Sequence, residues 1–544
     1  MDILYKLAID NTDDVISDVV RNQIKDKNSL YYGAKRNESL GPLFCTHYCG
    51  TLIWLVSGYY NKDSKYYQSE ELYECMDLCL YFIKKLQRPD GTFDLPDCNW
   101  YSAPDTGFAV HRFFDSYNFL KIYGSDEKGQ YLKDKIKELI IEGSDGIVAG
   151  GFHTPNHRWV MSSAIAQIYK LTGDQKYLDT INNYIKEGID CNKDGEYAER
   201  STGVYNLINN EALITLAQNL DMPELYDPVA RNLTMMLDYF EGNHTIFTAN
   251  STRQDKGAAP MRDIYFFQYR QMAKITGNKL FYTVSEDIKR DMLERGKGVY
   301  NLNTYMMHKD LVDLEMECVQ LPAKSEKHYK DSGIVRIKNE NFSISLLENN
   351  PNFMFVRNGD IECFATIGFG WFDERHFIAK TIKKTDKGYV LKYDSPSHYY
   401  LPFEEKQDTT DWWKMDHSKR KIYSPVHLYM NVTVDILDNG VKLSVKSSGC
   451  DRIPVKFEFG LTPHGYFEAD GVMFKPKAGE SIILKSGYAT IDNKKESLII
   501  GPAVGKHRIM TGRKGTLPQS DQHFTVYFTD YTDLDYEFSI MLGA

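Results

Sequence analysis

The chain has 544 residues, of which 42% are hydrophobic and 26% are charged, a balance typical of folded globular domains rather than of disordered segments. Its formal net charge of -10 excludes a general attraction to nucleic acid or to an anionic membrane surface, so any basic site must be local. A chain of this length exceeds one ordinary hydrophobic core, and two large domains are expected.

The N-terminal segment MDILYKLAIDNTDDVISDVV has no basic start followed by an apolar run. We therefore expect a cytoplasmic protein, unless a signal has been removed, with neither a membrane nor a nucleic acid as partner. The nine Cys residues are scattered through mostly apolar segments, which is typical of reduced core thiols. Cys45, His47 and Cys49 match no common zinc spacing, so we predict no metal and no cofactor.

Up to about residue 285, apolar residues recur with the period of an amphipathic helix, for example in ELYECMDLCLYFIKKL and SSAIAQIYKLTG. Between these helices a Gly and a polar residue precede a Tyr or Leu, at residues 57–67, 122–132, 171–178 and 275–282. A Gly can end one helix in the left-handed conformation, and an Asp or Asn can begin the next. Repeated helical hairpins predict an (α/α) toroid over residues 1–285.

From about residue 330 the pattern changes to short alternating or β-branched runs, such as GIVRIKN and HFTVYFTD, with turns such as Asn-Gly between them. This pattern predicts an antiparallel β-sandwich over residues 331–544. The mixed stretch 286–330 is predicted to be a connector. The expected fold class is therefore multidomain α + β, with a toroid of helical hairpins followed by a sandwich.

The first polar loop of the helical half ends in Asp105, just before a helix that contains His111 and Arg112. In the simplest interpretation Asp105 caps this helix. The same loop carries Trp100 and Tyr101, whose aromatic faces are suitable for stacking on sugar rings. These three loop residues are candidates for a carbohydrate site.

A second polar loop leads into the helix MSSAIAQIYKL and is dense in hydrogen-bond donors. The positive end of a helix already favours an anion, so a substrate with a carboxylate fits this position. Capping of the helix alone would explain one or two of these residues but not the whole cluster. The candidates are His153, Asn156, His157, Arg158 and Trp159.

A third polar loop, residues 194–206, presents an acid, a guanidinium and a phenol within seven residues: Glu199, Arg200 and Tyr205. A structural pairing of Glu199 with Arg200 is the alternative explanation. Arg253, on a fourth polar loop, could reach the same cleft.

Asn156-His157 near a helix start, followed by the segment from Asp194-Gly195 through Glu199 to Tyr205, resembles the heparinase and alginate-lyase superfamily of toroid-plus-sandwich enzymes. The resemblance implies that Asn156 binds a uronate carboxylate, that His157 takes the C5 proton and that Tyr205 protonates the leaving oxygen. Two features depart from that family: Arg200-Ser201 replaces its usual Gly-Pro, and no spacing selects a sandwich histidine.

Three longer strings, at residues 102–108, 154–159 and 194–206, more closely resemble the bacterial-type toroid β-glucuronidases of glycoside hydrolase family 154. That resemblance implies an exo-acting β-glucuronidase that removes terminal glucuronic acid from oligosaccharides or glucuronides. The absence of a signal peptide also favours small imported substrates.

Hydrolysis and elimination make different demands on a site. Hydrolysis needs two carboxyl groups across the scissile bond, and Asp105 with Glu199 is the predicted pair. In that interpretation His157, Arg158 and Arg200 hold the glucuronate carboxylate. Elimination needs no such pair and would use the roles that the superfamily resemblance assigns.

Hydrolysis is the main prediction from the sequence, and a uronate lyase is the alternative. A non-catalytic glycan-binding protein is a third hypothesis, but it would predict aromatic platforms without convergent acids. A homo-oligomer is left open, since no residue-level feature argues for one.

Overall fold

The computed structural model describes residues 3–35, 45–339, 342–510, 512 and 514–543, without the side chains of residues 45–48. The segment that contains Cys45 and His47 therefore lies outside the described side chains. The chain divides into two compact units: Met1–Leu237 with Ile246–Leu321, and Asp238–Thr245 with Pro322–Ala544.

The first unit is helical. The α-helices of the described residues are α1 (Ile3–Asn22), α2 (Cys45–Tyr60), α3 (Glu70–Leu86), α4 (Ala103–Tyr123), α5 (Glu127–Ala149), α6 (Pro155–Thr172), α7 (Gln175–Ile185), α8 (Tyr205–Leu220), α9 (Tyr226–Tyr239), α10 (Phe266–Thr276), α11 (Lys279–Glu294), α12 (Leu302–Met307) and α13 (Lys309–Val312). No described helix is both long enough and apolar enough to cross a membrane.

The helices form the predicted (α/α) toroid. Helices α2, α4, α6 and α8 pack side by side in succession, α10 follows α8, and the short helices α13 and α12 return from α10 to α2. Each of α3, α5, α7 and α11 packs against the helix that precedes it, which gives an outer layer. The large fully buried side chains of this unit, such as Trp159 and Phe113, fill the space between the layers.

The predicted pairs of a Gly and a polar residue end one helix and start the next, as expected. Gly173 ends α6 in the left-handed region at φ 71°, and Asp174 then caps α7. Gly277 and Asn278 repeat the arrangement between α10 and α11. Because successive helices in such hairpins run in opposite directions, α4, α6 and α8 all begin at the same end of the ring.

The stretch 286–330, predicted to be a connector, contains the end of one long helix, two short helices and the first strand of the second unit. Helix α11 continues to Glu294, and α12 and α13 follow within the first unit. The buried side chains Leu302 and Leu311 anchor these two short helices. Helices of four to six residues are too short to display an apolar period, so the sequence pattern missed them.

A small hairpin, β1 (Phe93–Leu95) and β2 (Asn99–Ser102), precedes α4. The remaining strands belong to the second unit: β3 (Ser325–Tyr329), β4 (Ile334–Lys338), β5 (Phe342–Leu347), β6 (Asn352–Asn358), β7 (Ile361–Trp371), β8 (Glu374–His376), β9 (Thr381–Lys384), β10 (Gly388–Tyr400), β11 (Ile422–Leu437), β12 (Gly440–Ser448), β13 (Pro454–Leu461), β14 (Tyr466–Ala469), β15 (Val472–Phe474), β16 (Ser481–Ile483), β17 (Ala489–Asp492), β18 (Ser497–Gly501), β19 (Phe524–Tyr531) and β20 (Asp535–Gly543).

These strands form two sheets with shared apolar faces. One sheet has the order β15-β14-β17-β18-β20-β12-β11-β10-β9, and the other has the order β16-β19-β13-β7-β6-β5-β4-β3, with β8 paired to β7. The pairing is antiparallel except between β16 and β19. Phe457 and Phe459 of one sheet contact Phe538 of the other, with ring centroids 5.7 and 5.4 Å apart. The second unit is therefore the predicted sandwich.

A fully buried ion pair lies in the second unit. Arg336 donates from Nη2 to Glu241 Oε1 at 2.8 Å and from Nε to the Asp238 carbonyl oxygen at 2.9 Å. Ser343 donates to the other Glu241 oxygen. Burial tends to raise the pKa of Glu241, but the charges of Arg336 and Arg357 outweigh it and lower that pKa.

Arg336→Met should destabilise the second unit strongly, because it leaves the Glu241 carboxylate buried without its cation. We expect a loss of about 3–5 kcal/mol in the free energy of unfolding, measured by denaturant titration. Lys442→Met is the matched control: its partner Glu537 is more than half exposed, and such a surface pair contributes about 1 kcal/mol or less. Equal effects of the two substitutions would contradict this account.

Candidate active site

The N-terminus of α6 is capped by a carboxylate from a distant loop. Thr154 precedes the helix but makes no side-chain cap bond. Instead, the Asn156 backbone N–H donates to Glu199 Oε2 at 3.2 Å, and Asn156 Nδ2 donates to both Glu199 oxygens at 3.0 and 2.9 Å. Asn156 is 0% and Glu199 4% exposed. Burial raises the pKa of Glu199 and outweighs its hydrogen bonds and the charge of Arg253.

Arg253 joins this carboxylate to the phenol at the start of α8. Its Nε lies 3.3 Å from Glu199 Oε1, and its guanidinium carbon lies 5.0 Å from the ring centroid of Tyr205. The interaction with the Tyr205 oxygen is the largest cause that raises the pKa of Arg253. Gln254 also donates to the Tyr205 oxygen at 2.7 Å. The phenol is therefore held by two neighbours from one loop.

His157 follows Asn156 and is neutral near pH 7. Burial, the neighbouring His153 and the charge of Arg253 lower its pKa to about 4. Its Nδ1 is buried and has no hydrogen-bond partner among the described residues. The ring stands edge-on to His153 at 4.7 Å and to Phe108 at 6.5 Å. An uncharged imidazole thus lies beside a permanent cation.

Asp105 lies in the first turn of α4, where Ser102 rather than Asp105 is the N-cap. The Asp105 N–H donates to Ser102 Oγ at 3.3 Å, and Ser102 Oγ donates to Asp105 Oδ2 at 2.5 Å. Burial raises the pKa of Asp105, although Ser102 and the nearby His153 oppose this effect. His153 Nε2 lies 3.2 Å from Asn99 Nδ2. His153 therefore interacts with both Asp105 and His157.

Hydrogen bonds fix the two loops that carry Glu199 and Arg253 against each other. Thr252 donates from its hydroxyl to the Glu199 carbonyl oxygen at 2.9 Å. Asp255 accepts from the Gly203 N–H at 2.9 Å and from the Ser251 hydroxyl at 2.5 Å. The relative position of Glu199 and Arg253 is thus set by the backbone as well as by their side chains.

A buried polar network supports the same loop from within the ring. Tyr197 donates to Asn210 Oδ1 at 2.9 Å, and Asn210 donates to Asn232 Oδ1 at 2.9 Å and to Gln268 Oε1 at 3.1 Å. Asn232 in turn donates to the Gly195 carbonyl oxygen at 2.8 Å. Satisfied networks of this kind rigidify a structure.

Arg158 and Trp159, both predicted to bind substrate, are committed elsewhere. Trp159 is 0% exposed and donates from its indole to Asp190, so no face of its ring is open to a sugar. The Arg158 guanidinium stacks over Trp159 at 4.1 Å, donates to the Gly188 carbonyl oxygen at 2.9 Å and lies 3.5 Å from Asp190. The sequence pattern could not separate inward-facing from outward-facing residues of this first turn.

Trp100 and Tyr101 form an exposed aromatic pair on the β1–β2 hairpin, with Trp100 69% exposed. The Arg88 guanidinium lies 4.6 Å from the Trp100 ring and 5.2 Å from the Tyr101 ring. Asp94 bonds Arg88 and also accepts from the Tyr101 N–H at 2.8 Å. Asn99, which directly precedes Trp100 in this hairpin, contacts His153. The aromatic pair therefore lies near the residues of the candidate site.

Arg200 pairs with an acid that the sequence interpretation overlooked. Its Nε lies 3.3 Å from Glu196 Oε2, and Asn250 donates to Glu196 Oε1 at 2.8 Å. The predicted alternative pairing of Arg200 with Glu199 is replaced by this one. Glu196 lies four residues before Arg200 in the same loop, and this nearness was the only sequence signal for their pairing. Gln254, which contacts the Tyr205 oxygen, was also missed, although it directly follows Arg253.

The structure therefore brings Asp105, His153, His157, Glu199 and Tyr205 into one connected constellation, with Asn156 behind it and Arg253 at its centre. Within the described residues, no group of three or more His, Cys, Asp or Glu side chains is arranged to hold a metal ion. The available chemistry is that of a cation, a neutral imidazole, a phenol and two carboxyl groups of raised pKa.

No family model and no curated protein matches the sequence. Among solved structures, the xanthan lyase of Paenibacillus superposes with a TM-score of 0.56 at 11% identity, over 99% of this chain and 57% of that one. The chain therefore spans little more than half of that lyase. Chondroitin AC lyase of Streptomyces coelicolor, in complex with chondroitin sulphate, gives 0.52 at 10% identity, over 100% of this chain and 80% of that one. At such identities the likeness concerns the fold, a helical toroid followed by a β domain.

The depressed pKa of His157 predicts an acid-sensitive fold. Between about pH 6.5 and 4 the unfolded chain takes up a proton at this position and the folded protein does not, so stability falls as pH falls through this window. A histidine NMR titration, assigned by the loss of a signal in His157→Gln, should give a midpoint near pH 4. The same variant should also lose stability less steeply on acidification, and a midpoint near 6.5 would contradict the proposed environment.

Proposed function

We propose that this protein is a carbohydrate-active enzyme that cleaves a glycosidic bond at a uronic acid by β-elimination. The observation that carries the proposal is the position of Arg253, between the Glu199 carboxylate and the Tyr205 phenol and close to a neutral His157. These are the groups that elimination requires: a cation for the substrate carboxylate, a base and an acid.

The electrostatics of the site favour an anionic substrate. Three inner helices, α4, α6 and α8, begin at the same end of the ring, and helix N-termini carry partial positive charge. Arg253 adds a full charge there, and its guanidinium can bind a carboxylate through two parallel hydrogen bonds. Asn156 donates to Glu199 in this structure, so we assign the carboxylate contact to Arg253 and a positioning role to Asn156.

The elimination needs no water and no second substrate. His157 accepts the proton from C5 of the uronate, and the C5–H electron pair becomes the C4–C5 double bond. The C4–O bond then breaks, and Tyr205 donates its proton to the leaving oxygen. Arg253 stabilises the negative charge that develops on the substrate carboxylate. Proton exchange with solvent afterwards restores His157 and Tyr205.

Fold similarity supports this proposal over the hydrolytic interpretation. The two enzymes of similar fold are named as lyases, one of xanthan and the other of chondroitin. Glu199, a predicted catalytic carboxyl, is 4% exposed and is held by Asn156 and Arg253. It is therefore better suited to orienting Arg253 than to attacking a sugar.

Hydrolysis by an exo-acting β-glucuronidase is the second candidate, and one observation favours it. Burial raises the pKa of both Asp105 and Glu199, and a protonated carboxyl near neutral pH is what an acid catalyst of hydrolysis needs. In that case Arg200 and Arg253 would hold the glucuronate. The nature of the product separates the two reactions.

Incubation with uronate oligosaccharides from chondroitin and xanthan and with an aryl glucuronide provides the test. Elimination should give an unsaturated uronate, followed by its near-ultraviolet absorbance, with no free glucuronic acid. Release of free glucuronic acid without this absorbance would replace the lyase by the hydrolase. If neither product forms from any of these substrates, both proposals are contradicted.

Tyr205→Phe should lower kcat/KM by about 10²–10⁴-fold, the contribution typical of a positioned general acid. Tyr67→Phe removes an exposed phenol from the same unit and should leave turnover unchanged. Circular dichroism of both variants checks that the fold is intact. Turnover of Tyr205→Phe within a few-fold of the wild type would show that this phenol is structural.

A further inference from the structure

A second polar cluster, which we call the lumen cluster, lies on the inner helices. It comprises His111, Arg112 and Asp115 of α4, Gln167 of α6 and Glu211 of α8. Neither catalytic interpretation above uses any of its members.

Side chains from three successive inner helices meet in this cluster. His111 Nε2 lies 3.2 Å from Glu211 Oε1, and Gln167 Nε2 lies 3.4 Å from His111 Nδ1. Burial tends to raise the pKa of Glu211, but His111 and Arg112 outweigh it and hold this pKa at about 2. Burial tends to lower the pKa of His111, and Glu211 raises it above its ordinary value. The His111 imidazole and the Glu211 carboxylate therefore pair, with Gln167 beside the other imidazole nitrogen.

The remaining members keep unused hydrogen-bonding capacity. Arg112 approaches Asp115 and Glu211 only at 3.5 and 3.6 Å, longer than the 2.7–2.9 Å of a formed charge-assisted bond. The side chains of Arg112, Asp115 and Glu211 are 46, 40 and 44% exposed, although burial raises the pKa of Asp115. Three polar side chains on facing helices are therefore still partly exposed to solvent and can contact a ligand.

The lumen cluster and the candidate active site share one face of α4. Asp105, Phe108, His111 or Arg112, and Asp115 follow the i, i+3 and i+4 spacing of a single helix face. Phe108 contacts His157, so the upper part of this face belongs to the site. With a rise of about 1.5 Å per residue, Asp115 lies about 15 Å further along the helix than Asp105.

The lumen cluster has the chemistry of a site for a neutral sugar. His111 and Arg112 face the carboxyl groups of Asp115 and Glu211, so basic and acidic side chains are equal in number and no excess of basic groups is present to attract a second uronate. The cluster offers guanidinium and amide donors and carboxyl acceptors within a few ångströms, and sugar hydroxyls need both.

We propose that the lumen cluster is a saccharide subsite that binds a neutral sugar further along the glycan whose uronate is held at Arg253. This inference rests on the proposed function and extends it: the glycan enters the ring by one end, and the cluster binds the portion that enters beyond the cleaved bond. Arg112 and Asp115 are the main contacts, and the His111–Glu211 pair holds the wall in place. Substrates long enough to reach the cluster therefore bind more tightly.

The test compares Arg112→Gln with the wild type on uronate disaccharides, tetrasaccharides and hexasaccharides from chondroitin and xanthan. Arg112 makes no close hydrogen bond in the structure, so the variant should fold. KM should rise about tenfold or more for the longer oligosaccharides, as expected for lost hydrogen bonds from a charged group, and stay within about twofold for disaccharides. Lys137→Gln removes an exposed charge from outer helix α5 and should change neither value.

Calorimetric binding of the same oligosaccharides to both proteins separates this inference from the proposed function. Binding weakened by Arg112→Gln only for long oligosaccharides, with no cleavage by the wild type, would retain the subsite and overturn the enzyme assignment. An effect of the substitution that is equal at all lengths, or absent, would overturn the subsite. Failure of the wild type to bind any member of the series would overturn both.

Discussion

The Glu199 carboxylate organises the candidate site, because it joins the start of α6 to the loop that carries Arg253. It accepts from the backbone and side chain of Asn156 at the start of α6, lies next to Arg253 and shares a loop with Tyr205. Removal of this group would leave the Asn156 amide and the Arg253 guanidinium without their common partner. A buried carboxylate with several donors is costly to disrupt, so the geometry of the site is tied to the stability of the ring.

In this arrangement the permanent charge and the uncharged imidazole belong to different side chains. Arg253 carries a permanent charge, whereas burial, His153 and Arg253 lower the pKa of His157 and keep its imidazole neutral. Helix N-termini add partial positive charge without adding a titratable group. In the proposed function, this arrangement lets Arg253 bind an acid while His157 accepts a proton. Asn156 is fully buried and donates to Glu199.

The sequence resembles two groups of toroid enzymes, and the similarity to solved structures concerns the architecture. The longer strings resemble toroid β-glucuronidases, whereas the superposed xanthan and chondroitin AC lyases share the toroid and the β domain at 10–11% identity. Function on such a scaffold depends on which side chains face the cleft. Here Glu199 contacts Asn156 and Arg253, and Arg158 contacts Asp190 and the Gly188 carbonyl oxygen.

The sequence alone determined the two-part architecture, because helical and strand periods extend over many residues and tolerate local exceptions. It also determined where the polar loops lie, since the Gly and Asp residues that end and start helices act locally in the sequence. Only the tertiary structure decided which loop residues meet. It joined Asn156 at the start of α6 to Glu199 in the loop before α8, paired Arg200 with Glu196 and buried Trp159. Local patterns do not encode such contacts, since they depend on how helices distant in sequence are rotated against one another. The lumen cluster was missed for the same reason, because its members lie on three different helices.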